Sequence, residues 1–453
     1  MTKDKTEKFV KGGEKKVVKT VTPKTSQLLR GFKDILPAEQ NYWQYLFETA
    51  QSFARDYGFG RIDPPILEEV SLFSRSIGKQ TDIVEKEMFS FTDAGQGSVV
   101  LRPEATASIA RAYIQHGMIN LSQPVKLFYW GPMFRRERPQ SGRLRQFHQF
   151  GFEILGETNP VIDAQLIGIV NNFFVQIGLD QISIQINSIG CPDCRGAFID
   201  ELVNYYRPKK KLLCEDCKIR LNKNPLRLLD CKEQSCQILK AQAPQIVDWL
   251  CENCKNHFMK VVEYLDGLNV PYKLNPYLVR GLDYYTKTVF EVWPGEAEEG
   301  AQSVLGGGGR YDGLIELLGG RPTPTIGVSV GIERIILQLK QKEIKIPQDF
   351  VPLVFLAQIG EAAKIKAFNL YEQLRRENIT VSESFAKDSL KSQLDLANKL
   401  KVKYALILGQ KEVMDGTILI RDMESGVQEV VDFNKIIAEL KKKLNNNHLK
   451  LEI

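Results

Sequence analysis

Apolar and polar positions in the first third of the chain follow two periods, one typical of helices and one typical of strands. Residues 41–57 (NYWQYLFETAQSFARDY) repeat apolar side chains at helical spacing, and Gly58 with Gly60 can end that helix. Pro64 and Pro65 interrupt the segment that follows, which favours an edge or interface strand over a continued helix. The pattern therefore predicts a helix that leads into an extended segment.

Further strands are predicted up to residue 156. Strand patterns cover 98–104, 125–137 and 147–156, and a helical pattern covers 106–116. The last two strands flank a polar, basic stretch that contains Pro139 and Gly142. This arrangement predicts a hairpin with a long mobile loop.

The pattern changes between residues 187 and 264, where short helical segments carry all eight cysteines. This stretch is typical of an inserted module. Beyond it we predict a strand at 288–293, a glycine-rich turn at 306–309, and a strand that runs into a helix at 325–339. After Pro347, strand-like and helical segments alternate over about 100 residues, which predicts a separate α/β domain.

Length and composition fit a globular protein with several domains. The 453 residues are 43% hydrophobic and 26% charged, which predicts two to four domains. No apolar run reaches the roughly 20 residues that span a bilayer, and the N-terminus resembles neither a secretory signal nor a transit peptide. We therefore expect no membrane partner and a cytoplasmic location.

The net charge of +6 lies almost entirely near the N-terminus. Residues 1–25 contain eight lysines and three acidic residues, so the rest of the chain is nearly neutral. The low hydrophobicity of this segment predicts a basic, disordered tail rather than an RNA-binding arm. Any RNA-binding surface on the body of the protein must then be a local patch.

The most informative segment is FRRERPQSGRLRQFHQFGFEILG, residues 134–156. Five arginines surround the hairpin tip, namely Arg135, Arg136, Arg138, Arg143 and Arg145. Side chains two residues apart on the returning strand share a sheet face, so the amide of Gln149 and the carboxylate of Glu153 can line one pocket. Arginine beside a strand end suits a bidentate grip on phosphate, although a solvated basic hairpin has the same composition.

Two further segments contain candidate chemistry. In LVRGLDYYTKTVFEV, Arg280 can stabilise charge on a phosphate that a carboxylate attacks. The adjacent Tyr284 and Tyr285 offer hydroxyls and ring faces to a polar substrate, or serve only in packing. Near 306–339, glycines let the backbone approach a ligand, and Arg334 lies in the first turn of a predicted helix, where the helix dipole also favours phosphate. The chain lacks the Walker pattern GxxxxGK[ST], which disfavours a P-loop ATPase.

Together, these segments resemble the histidyl-tRNA synthetases, which are class II synthetases. The resemblance runs from RGFKDILP at Arg30 into the last domain and covers roughly 400 residues. The arginine-rich hairpin resembles motif 2, and GIERII belongs to a segment that resembles motif 3. LVRGLDYYTKTVFEV and GGGGRYDGL are signatures of the histidine enzymes, and helix 41–57 with the strand around Pro65 resembles motif 1, the dimer element.

The resemblance implies an α+β catalytic domain on an antiparallel sheet, a small mainly helical insertion and a C-terminal α/β anticodon-binding domain. The expected boundaries are 1–25 for the tail, 26–186 and 265–346 for the two parts of the catalytic domain, 187–264 for the Cys-rich insertion, and 347–453 for the anticodon-binding domain. The resemblance also implies a homodimer that uses ATP and Mg²⁺ to activate L-histidine and esterify it to tRNA-His.

The site residues of the family carry over onto matching positions. The resemblance implies that Arg135 holds the α-phosphate of ATP, that Arg334 holds the γ-phosphate, and that Glu137 also binds ATP. Arg280 resembles the catalytic arginine that bridges the histidine carboxylate and the α-phosphate. Arg135 is the second residue that the resemblance implies to be catalytic. The implied histidine-binding residues are Glu104, Thr106 and Gln149 for the α-ammonium, Glu153 and Tyr285 for the imidazole, and Tyr284 and Tyr311 to close the site. Ala105 and Ser329 stand where many relatives have glycine.

Contacts with tRNA are expected at two places. At the hairpin tip, Arg138 and Gln140 are placed to reach the acceptor end. In the last domain the expected RNA face consists of Lys387, Lys391, Lys399, Lys401 and Lys403, where phosphate contacts would set affinity. Helical lysines also serve plain solvation.

Two other functions compete with this interpretation. One is the synthetase-like regulatory subunit of ATP phosphoribosyltransferase, a non-catalytic paralog, which tends to lose the histidine signatures and the anticodon domain that this chain keeps. The other is a general RNA-binding protein, which would not need the pocket residues Glu104, Gln149 and Glu153.

The eight cysteines form four close pairs, which are Cys191 with Cys194, Cys214 with Cys217, Cys231 with Cys236, and Cys251 with Cys254. A cytoplasmic protein keeps its thiols reduced, which disfavours disulfides. Paired thiolates suit tetrahedral Zn²⁺, and four pairs could supply two structural sites of four thiolates each. The alternative is that the cysteines are small buried apolar residues that pack short helices.

Overall fold

The computed structural model describes residues 25–78, 81, 83–95, 97–295, 304–347 and 352–448. The predicted basic tail lies outside the described residues, apart from residue 25. The chain divides into two compact units, 1–345 and 346–453, which are described one at a time.

The first unit contains eleven strands among its described residues. These are β1 (Gly60–Arg61), β2 (Leu67–Glu69), β3 (Phe89–Asp93), β4 (Gly97–Leu101), β5 (Val125–Phe134), β6 (Gln146–Leu155), β7 (Ile182–Ser188), β8 (Tyr272–Leu274), β9 (Thr286–Pro294), β10 (Gly306–Arg310) and β11 (Thr325–Gly331). Eight of them form one sheet in the order β1-β5-β6-β11-β10-β9-β7-β8, and β2-β4-β3 form a small separate sheet. Within the large sheet, only the pairs β1–β5 and β7–β8 are parallel, so the predicted antiparallel catalytic sheet is confirmed.

The predicted glycine-rich turn at 306–309 is wrong, because those residues form β10 in the middle of the sheet. The glycines are needed for close approach of the neighbouring strands. A Cβ on Gly308 would lie 2.1 Å from the carbonyl oxygen of Gly327, and one on Gly309 would lie 2.4 Å from that of Thr288. Glycine is a poor strand former, so the pattern alone suggested a turn, and only the pairing with β9 and β11 explains the strand.

Helices pack against the sheet and make up most of the cysteine-rich segment. They are α1 (Pro37–Asp56), α2 (Val70–Ser76), α3 (Thr106–Gln115), α4 (Val161–Gln176), α5 (Pro192–Tyr206), α6 (Glu215–Lys223), α7 (Gln234–Lys240), α8 (Glu252–Gly267), α9 (Leu314–Leu317) and α10 (Ile332–Gln341). Short 3-10 segments lie at Met118–Asn120, Arg207–Leu212, Pro225–Leu228 and Ile246–Trp249, and a π-helical turn lies at Ile83–Glu87. Helix α1 begins four residues before the predicted start, since Pro37 suits the first helical turn, and Gly58 with a positive φ follows its end.

A buried ionic network connects helices α4 and α8 to the large sheet. Asp163 on α4 accepts hydrogen bonds from Thr288 on β9 at 2.8 Å and from Arg310 on β10 at 3.0 Å. His257 on α8 lies 2.6 Å from the same carboxylate. Asp163, Thr288 and Arg310 are fully buried, and their direct hydrogen bonds join α4, β9 and β10, with His257 adding α8.

The second unit is a separate α/β fold, as predicted. Its elements are β12 (Val354–Gln358), α11 (Glu361–Arg376), β13 (Val381–Glu383), α12 (Leu390–Lys399), β14 (Tyr404–Leu408), α13 (Gln410–Asp415), β15 (Thr417–Asp422), β16 (Gln428–Asp432), a 3-10 turn at Phe433–Lys435, and α14 (Ile436–His448). The sheet order is β13-β12-β14-β15-β16. The fully buried β12 and β14 form its centre. In the part of the chain that the structure describes, no helix has the length and apolar character that a membrane span requires.

Candidate active site

A cleft of about 390 Å³ opens in the first unit beside the carboxyl end of β5 and the start of β6. Its walls come from the β5–β6 hairpin, from β9 and β10, and from the junction of β11 with α10. Among the arginines that line it are Arg135 and Arg143 of the hairpin, Arg280 of the loop before β9, and Arg334 of α10. The structure thus brings together arginines from the three sequence segments that carry candidate chemistry, and such a cluster suits a polyanionic ligand.

Arg280 lies at the base of this cleft in an ion pair with Glu291 on β9. The Nη1 atom of Arg280 lies 2.5 Å from Oε1 of Glu291, and the ring of Tyr285 lies 5.7 Å from the guanidinium carbon. Burial alone would lower the pKa of Arg280, but Tyr285 and Glu291 raise the pKa above its ordinary value. The guanidinium is therefore a permanent cation held in one orientation.

The glycine strand makes room for that guanidinium. A Cβ on Gly307 would lie only 2.5 Å from Nη1 of Arg280. The Nε atom of Arg280 is buried and has no hydrogen-bond partner among the described residues. A buried donor without a partner, on a side chain that lines the cleft, is available to an incoming acceptor.

Arg135 is fixed where β5 ends. Its Nε atom donates to the carbonyl oxygen of Pro103 at 2.9 Å, and its guanidinium lies 5.3 Å from the ring centre of Phe147. Glu137 lies 3.7 Å from Arg135 and 3.4 Å from Arg143. These contacts hold the charged end of the hairpin against the cleft.

Arg334 connects the far wall of the cleft to the hairpin loop. Its Nε atom donates to the carbonyl oxygen of Gly142 at 3.1 Å, and its Nη1 atom donates to that of Val304 at 2.5 Å. Burial, together with the nearby Arg143, lowers the pKa of Arg334 to about 10. The side chain remains charged at neutral pH, at the first turn of α10.

A buried polar layer lies behind the cleft, around Glu153 on β6. Thr106 donates to Oε1 of Glu153 at 2.7 Å, and the hydroxyl of Tyr311 donates to Oε2. Burial raises the pKa of Glu153 to about 8, although these two hydroxyls act in the opposite direction. Gly327 lies opposite Glu153 on β11, and any side chain there would collide with the carboxylate.

Glu104 caps the helix that carries Thr106. Its two carboxylate oxygens accept from the backbone N–H groups of Thr106 and Ala107, both at 2.8 Å. A carboxylate at a helix N-terminus satisfies amides that have no partner inside the helix. Burial raises the pKa of Glu104, while the two amides oppose that shift.

Three tyrosines enclose the same layer. The ring centres of Tyr284 and Tyr285 lie 4.7 Å apart, and the ring of Tyr284 meets that of Tyr311 at 5.4 Å. Burial raises the pKa of all three phenols, so they remain neutral hydrogen-bonding groups. The predicted histidine-binding residues therefore lie together, although only Gln149 among them lines the open cleft itself.

Two unpartnered polar atoms lie where the cleft meets this layer. The Oε1 atom of Gln149 and the hydroxyl oxygen of Ser329 are buried, and each lacks a hydrogen-bond partner within the described ranges. Gln149 and Glu153 lie four residues apart on β6, so they share a sheet face. Such a pair of unsatisfied groups fits a polar ligand.

The predicted tRNA-binding residues lie outside the cleft. Arg138 and Gln140 are exposed at the hairpin tip, where the backbones of Gln140 and Arg143 exchange hydrogen bonds of 3.1 and 3.0 Å. Lys387, Lys391 and Lys399 are exposed in the second unit, on α12 and the turn before it, as is Lys401, whereas Lys403 is half-buried.

The cysteines of the insertion gather into two clusters. Cys191, Cys194, Cys251 and Cys254 form the outer cluster, and Cys214, Cys217, Cys231 and Cys236 form the inner cluster. Within each cluster all sulfur atoms lie within 4.8 Å of one another, and all eight cysteines are free thiols. The spacing along the chain shows four pairs but does not indicate which pairs combine.

Sequence reasoning missed several residues of the cleft. It did not single out Glu291, although a carboxylate in the otherwise apolar strand TVFEVW is a usable signal. It also missed Phe147 beside Arg135, and Glu333, whose carboxylate accepts from the backbone N–H of His148 at 2.9 Å. These contacts join segments that are separated in the chain, so no local sequence pattern predicts them.

Comparisons with known proteins agree with this geometry. The family described as histidyl-tRNA synthetase matches residues 31–193 and 221–335, and the family described as anticodon binding domain matches residues 353–443. The chain is 48% identical to the histidine–tRNA ligase of Pelotomaculum thermopropionicum, over 92% of this chain and 97% of that protein. It is 47% identical to the histidine–tRNA ligase of Dehalococcoides mccartyi, over 92% of this chain and 99% of that protein.

A solved structure supports the same assignment. The apo histidyl-tRNA synthetase of Staphylococcus aureus matches with a TM-score of 0.77 and 34% identity, over 92% of this chain and 99% of that chain. Both the identity and the coverage exceed what a shared fold alone would give. The chain therefore belongs to the histidyl-tRNA synthetase family.

Proposed function

We propose that this protein activates L-histidine with ATP and transfers the histidyl group to tRNA-His. In the first step an oxygen of the histidine carboxylate attacks the α-phosphorus, and pyrophosphate leaves. In the second step a ribose hydroxyl of the tRNA attacks the carbonyl carbon, and AMP leaves. The observation that carries this proposal is the buried layer around Glu153, which adjoins an arginine-lined cleft.

Arg280 is proposed as the catalytic arginine. Its charge is held by Glu291 at 2.5 Å, and its Nε donor is unpartnered among the described residues. A preoriented cation stabilises the negative charge that accumulates on the α-phosphate during the attack. Arg135 is proposed to share this task from the opposite wall.

The remaining ATP contacts are proposed for Arg334 and Glu137. Arg334 is suited to the γ-phosphate, and the ring of Phe147 with Arg135 offers a flat face for the base. Mg²⁺ is generally held by one or two carboxylates together with substrate phosphates, and Glu137 and Glu291 offer such carboxylates in the cleft. The residues thus fit a magnesium ion that enters with ATP, where it would neutralise phosphate charge.

Histidine is proposed to occupy the space around Gln149 and the layer behind it. Glu104, Thr106 and Gln149 are suited to the α-ammonium group, since they offer oxygen acceptors. Glu153 and Tyr285 are proposed to read the imidazole, while Tyr284 and Tyr311 close the site. A site built from buried polar groups rejects ligands that leave those groups unpaired, which gives selectivity for histidine.

The two cysteine clusters are proposed to bind one structural Zn²⁺ ion each. Tetrahedral zinc with thiolate ligands places the sulfurs about 3.8 Å apart. Measured separations are 3.5 Å for Cys191–Cys194, 3.8 Å for Cys194–Cys254 and 3.7 Å for Cys214–Cys231. The metal would add folding free energy to the module.

The partners are proposed to be tRNA-His and a second copy of this chain, in the cytoplasm. Exposed lysines of the second unit, Lys387, Lys391 and Lys399, suit contacts with RNA phosphates, and Arg138 with Gln140 suits the acceptor end. The dimer is proposed to form around α1 and β2, where Ile66 and Leu67 are 42% and 49% exposed. Exposed apolar residues of this kind favour an interface.

The domain boundaries are also proposed as predicted, with the catalytic domain at 26–186 and 265–346, the insertion at 187–264 and the anticodon-binding domain at 347–453. The break between the two compact units at residue 345 supports the last boundary. The histidyl-tRNA synthetase match skips residues 194–220, which supports an insertion there.

Pyrophosphate exchange with each amino acid in turn tests the function. We expect exchange with histidine and none above background with the other amino acids. Exchange supported by another amino acid, or by none, would contradict the proposal and revive the regulatory-subunit alternative. Addition of tRNA-His should then yield histidyl-tRNA, which that alternative does not form.

A further inference from the structure

The insertion contributes a charged wall to the cleft. Arg227, Asp230 and Lys232 line the cleft next to Arg280, although all three belong to the cysteine-rich module. They follow one another on the 3-10 segment Pro225–Leu228 and the turn after it. We refer to residues 224–232 as the insertion wall.

The insertion wall is attached to the loop that follows Arg280. Asn224 donates to the carboxylate of Asp283 at 2.9 Å, and Asp283 is held in turn by a backbone hydrogen bond of 3.1 Å to Ile77. A Cβ on Gly281 would lie 3.1 Å from Nη1 of Arg227, so the guanidinium lies directly against the backbone beside Arg280. Contacts of this kind make the wall part of the active-site architecture rather than a loosely attached lobe.

Charge couples the wall to the Arg280–Glu291 pair. Nη1 of Arg227 lies 3.2 Å from Oδ2 of Asp230, and the Arg227 side chain is only 19% exposed. Burial raises the pKa of Glu291, Arg280 lowers it, and then Asp230 raises it and Lys232 lowers it. Asp230 and Lys232 are thus close enough to Glu291 to act on its pKa, in opposite directions.

The inner cysteine cluster holds the wall in place. Cys231 lies between Asp230 and Lys232 in the chain, and its sulfur lies 3.7 Å from that of Cys214 at the start of α6. The same cluster includes Cys236 on α7. The backbone that presents the wall is therefore anchored from both neighbouring helices.

We propose that Arg227, supported by Lys232, binds the phosphates of ATP, and that the inner cysteine cluster positions both side chains for this task. The proposal rests on the proposed function. Arg227 is mostly buried and lies beside Arg280, where the phosphates would react, which favours ATP over the acceptor end of tRNA as its ligand. A guanidinium already oriented by Asp230 loses little freedom when it binds phosphate.

Binding measurements with the full-length protein test Arg227. The readouts are the Kd for a non-hydrolysable ATP analogue and the KM for ATP in histidine-dependent pyrophosphate exchange. Arg227→Ala should weaken both on the order of 10-fold, the scale for loss of one charge-assisted hydrogen bond. For Arg227→Lys, both values should lie between those of the wild type and Arg227→Ala, because lysine keeps the charge but lacks the planar guanidinium. Lys218→Ala is the matched control, since Lys218 lies on α6 in the same module, pairs with Glu215 and does not line the cleft.

Two results would overturn the proposal. One is unchanged binding of the ATP analogue to Arg227→Ala. If the KM for tRNA rose in that variant, the insertion wall would be assigned to the acceptor end of tRNA instead. The other is a fall in melting temperature with equal losses for all ligands, which would make Arg227 structural. Wild-type protein without histidine-dependent exchange would contradict the proposed function, while the analogue Kd would still report on Arg227.

Hydrogen exchange tests the role of the inner cluster independently of activity. Amides of residues 226–232 should exchange more slowly when the ATP analogue is added to the wild-type protein. In Cys214→Ser, which alters the inner cluster, that protection should be lost and the Kd for the analogue should rise. In Cys251→Ser, which alters the outer cluster, both changes should be clearly smaller. Equal effects of the two substitutions, or no ligand-dependent protection in the wild type, would contradict the proposed link.

Discussion

Nη1 of Arg280 lies 2.5 Å from Oε1 of Glu291, and the two side chains are only 17% and 16% exposed. The pair joins the loop before β9 to the strand itself. A charge-assisted hydrogen bond of this kind fixes both the protonation and the direction of the guanidinium. The reacting carboxylate and phosphate of the substrates would therefore meet a cation that needs no rearrangement.

Replacement of Arg280 by alanine should slow histidyl-adenylate formation by ~10²-fold or more, the scale for loss of a preorganised charge-stabilising group. Single-turnover formation of the adenylate measures this step directly. Glu291→Gln should cause a smaller loss, since it leaves the guanidinium present but less firmly oriented. Unchanged melting temperatures would show that the fold persists, and an unchanged single-turnover rate in Arg280→Ala would refute the role.

Glu153→Gln should change how stability depends on pH in the ligand-free protein. The pKa of Glu153 is raised to about 8 from an ordinary value of 4.5, with burial as the largest cause. The folded protein therefore keeps a proton that the unfolded chain has released, so the stability from this group is full below about pH 4.5 and is lost as pH rises through about 8.

Because glutamine does not titrate, the melting temperature of Glu153→Gln relative to wild type should rise between about pH 5 and pH 8 and then level off. Thermal unfolding across that range measures the difference. Asp93→Asn, at an exposed carboxylate, serves as the control and should show no such trend. A pH-independent difference for Glu153→Gln would mean that Glu153 is already ionised in the folded protein.

Neutralisation of Lys391 and Lys399 together should raise the KM for tRNA and reduce its salt dependence. With fewer phosphate contacts, fewer counterions are released from the tRNA when it binds. Pyrophosphate exchange should not change, since these lysines belong to the other compact unit. Lys441→Gln with Lys442→Gln on α14 provides a matched control of equal charge loss. A parallel fall in amino-acid activation would instead make Lys391 and Lys399 structural.

Protein purified without chelator or added metal should contain close to two zinc atoms per chain. Cys191→Ser should remove one, Cys214→Ser should remove the other, and the double variant should contain neither, because the two residues belong to separate clusters. Elemental analysis gives the stoichiometry. Near-zero zinc in active enzyme, with all eight thiols reacting freely after unfolding, would leave only a packing role for the cysteines.

Local sequence patterns predicted those elements whose residue types depend on a single helix or a single hairpin. The hairpin of β5 and β6, helix α3, and the step from β11 to α10 were all anticipated, since their apolar spacing is set by a single buried face. Short or edge elements such as β8 and β13 were not, because three residues carry no measurable period. Strand β10 was misjudged for a different reason, since neighbouring strands rather than its own propensity require glycine there.

The site was predictable only as far as a resemblance could carry it. Spacing on one strand placed Gln149 and Glu153 on a common face, but nothing local linked Glu153 to Thr106 or Tyr311. The insertion wall shows the limit most clearly, because Arg227 reaches the cleft from a module that the sequence presented as a separate body. Long-range placement of this kind depends on tertiary packing, which a one-dimensional pattern does not contain.

The four cysteines of the inner cluster lie, in the chain, between the first and last pairs of the outer cluster. This arrangement limits the order in which the two clusters can form during synthesis on the ribosome. All four cysteines of the inner cluster have been made once residue 236 has emerged, whereas the outer cluster must wait for residue 254. Strands β9 to β11, which complete the catalytic sheet, are made later still. Since nascent chains organise from the N-terminal side, the inner cluster can form first, the outer cluster second and the sheet last. The wall would then be a finished surface against which Arg280 and its neighbours settle as they leave the exit tunnel.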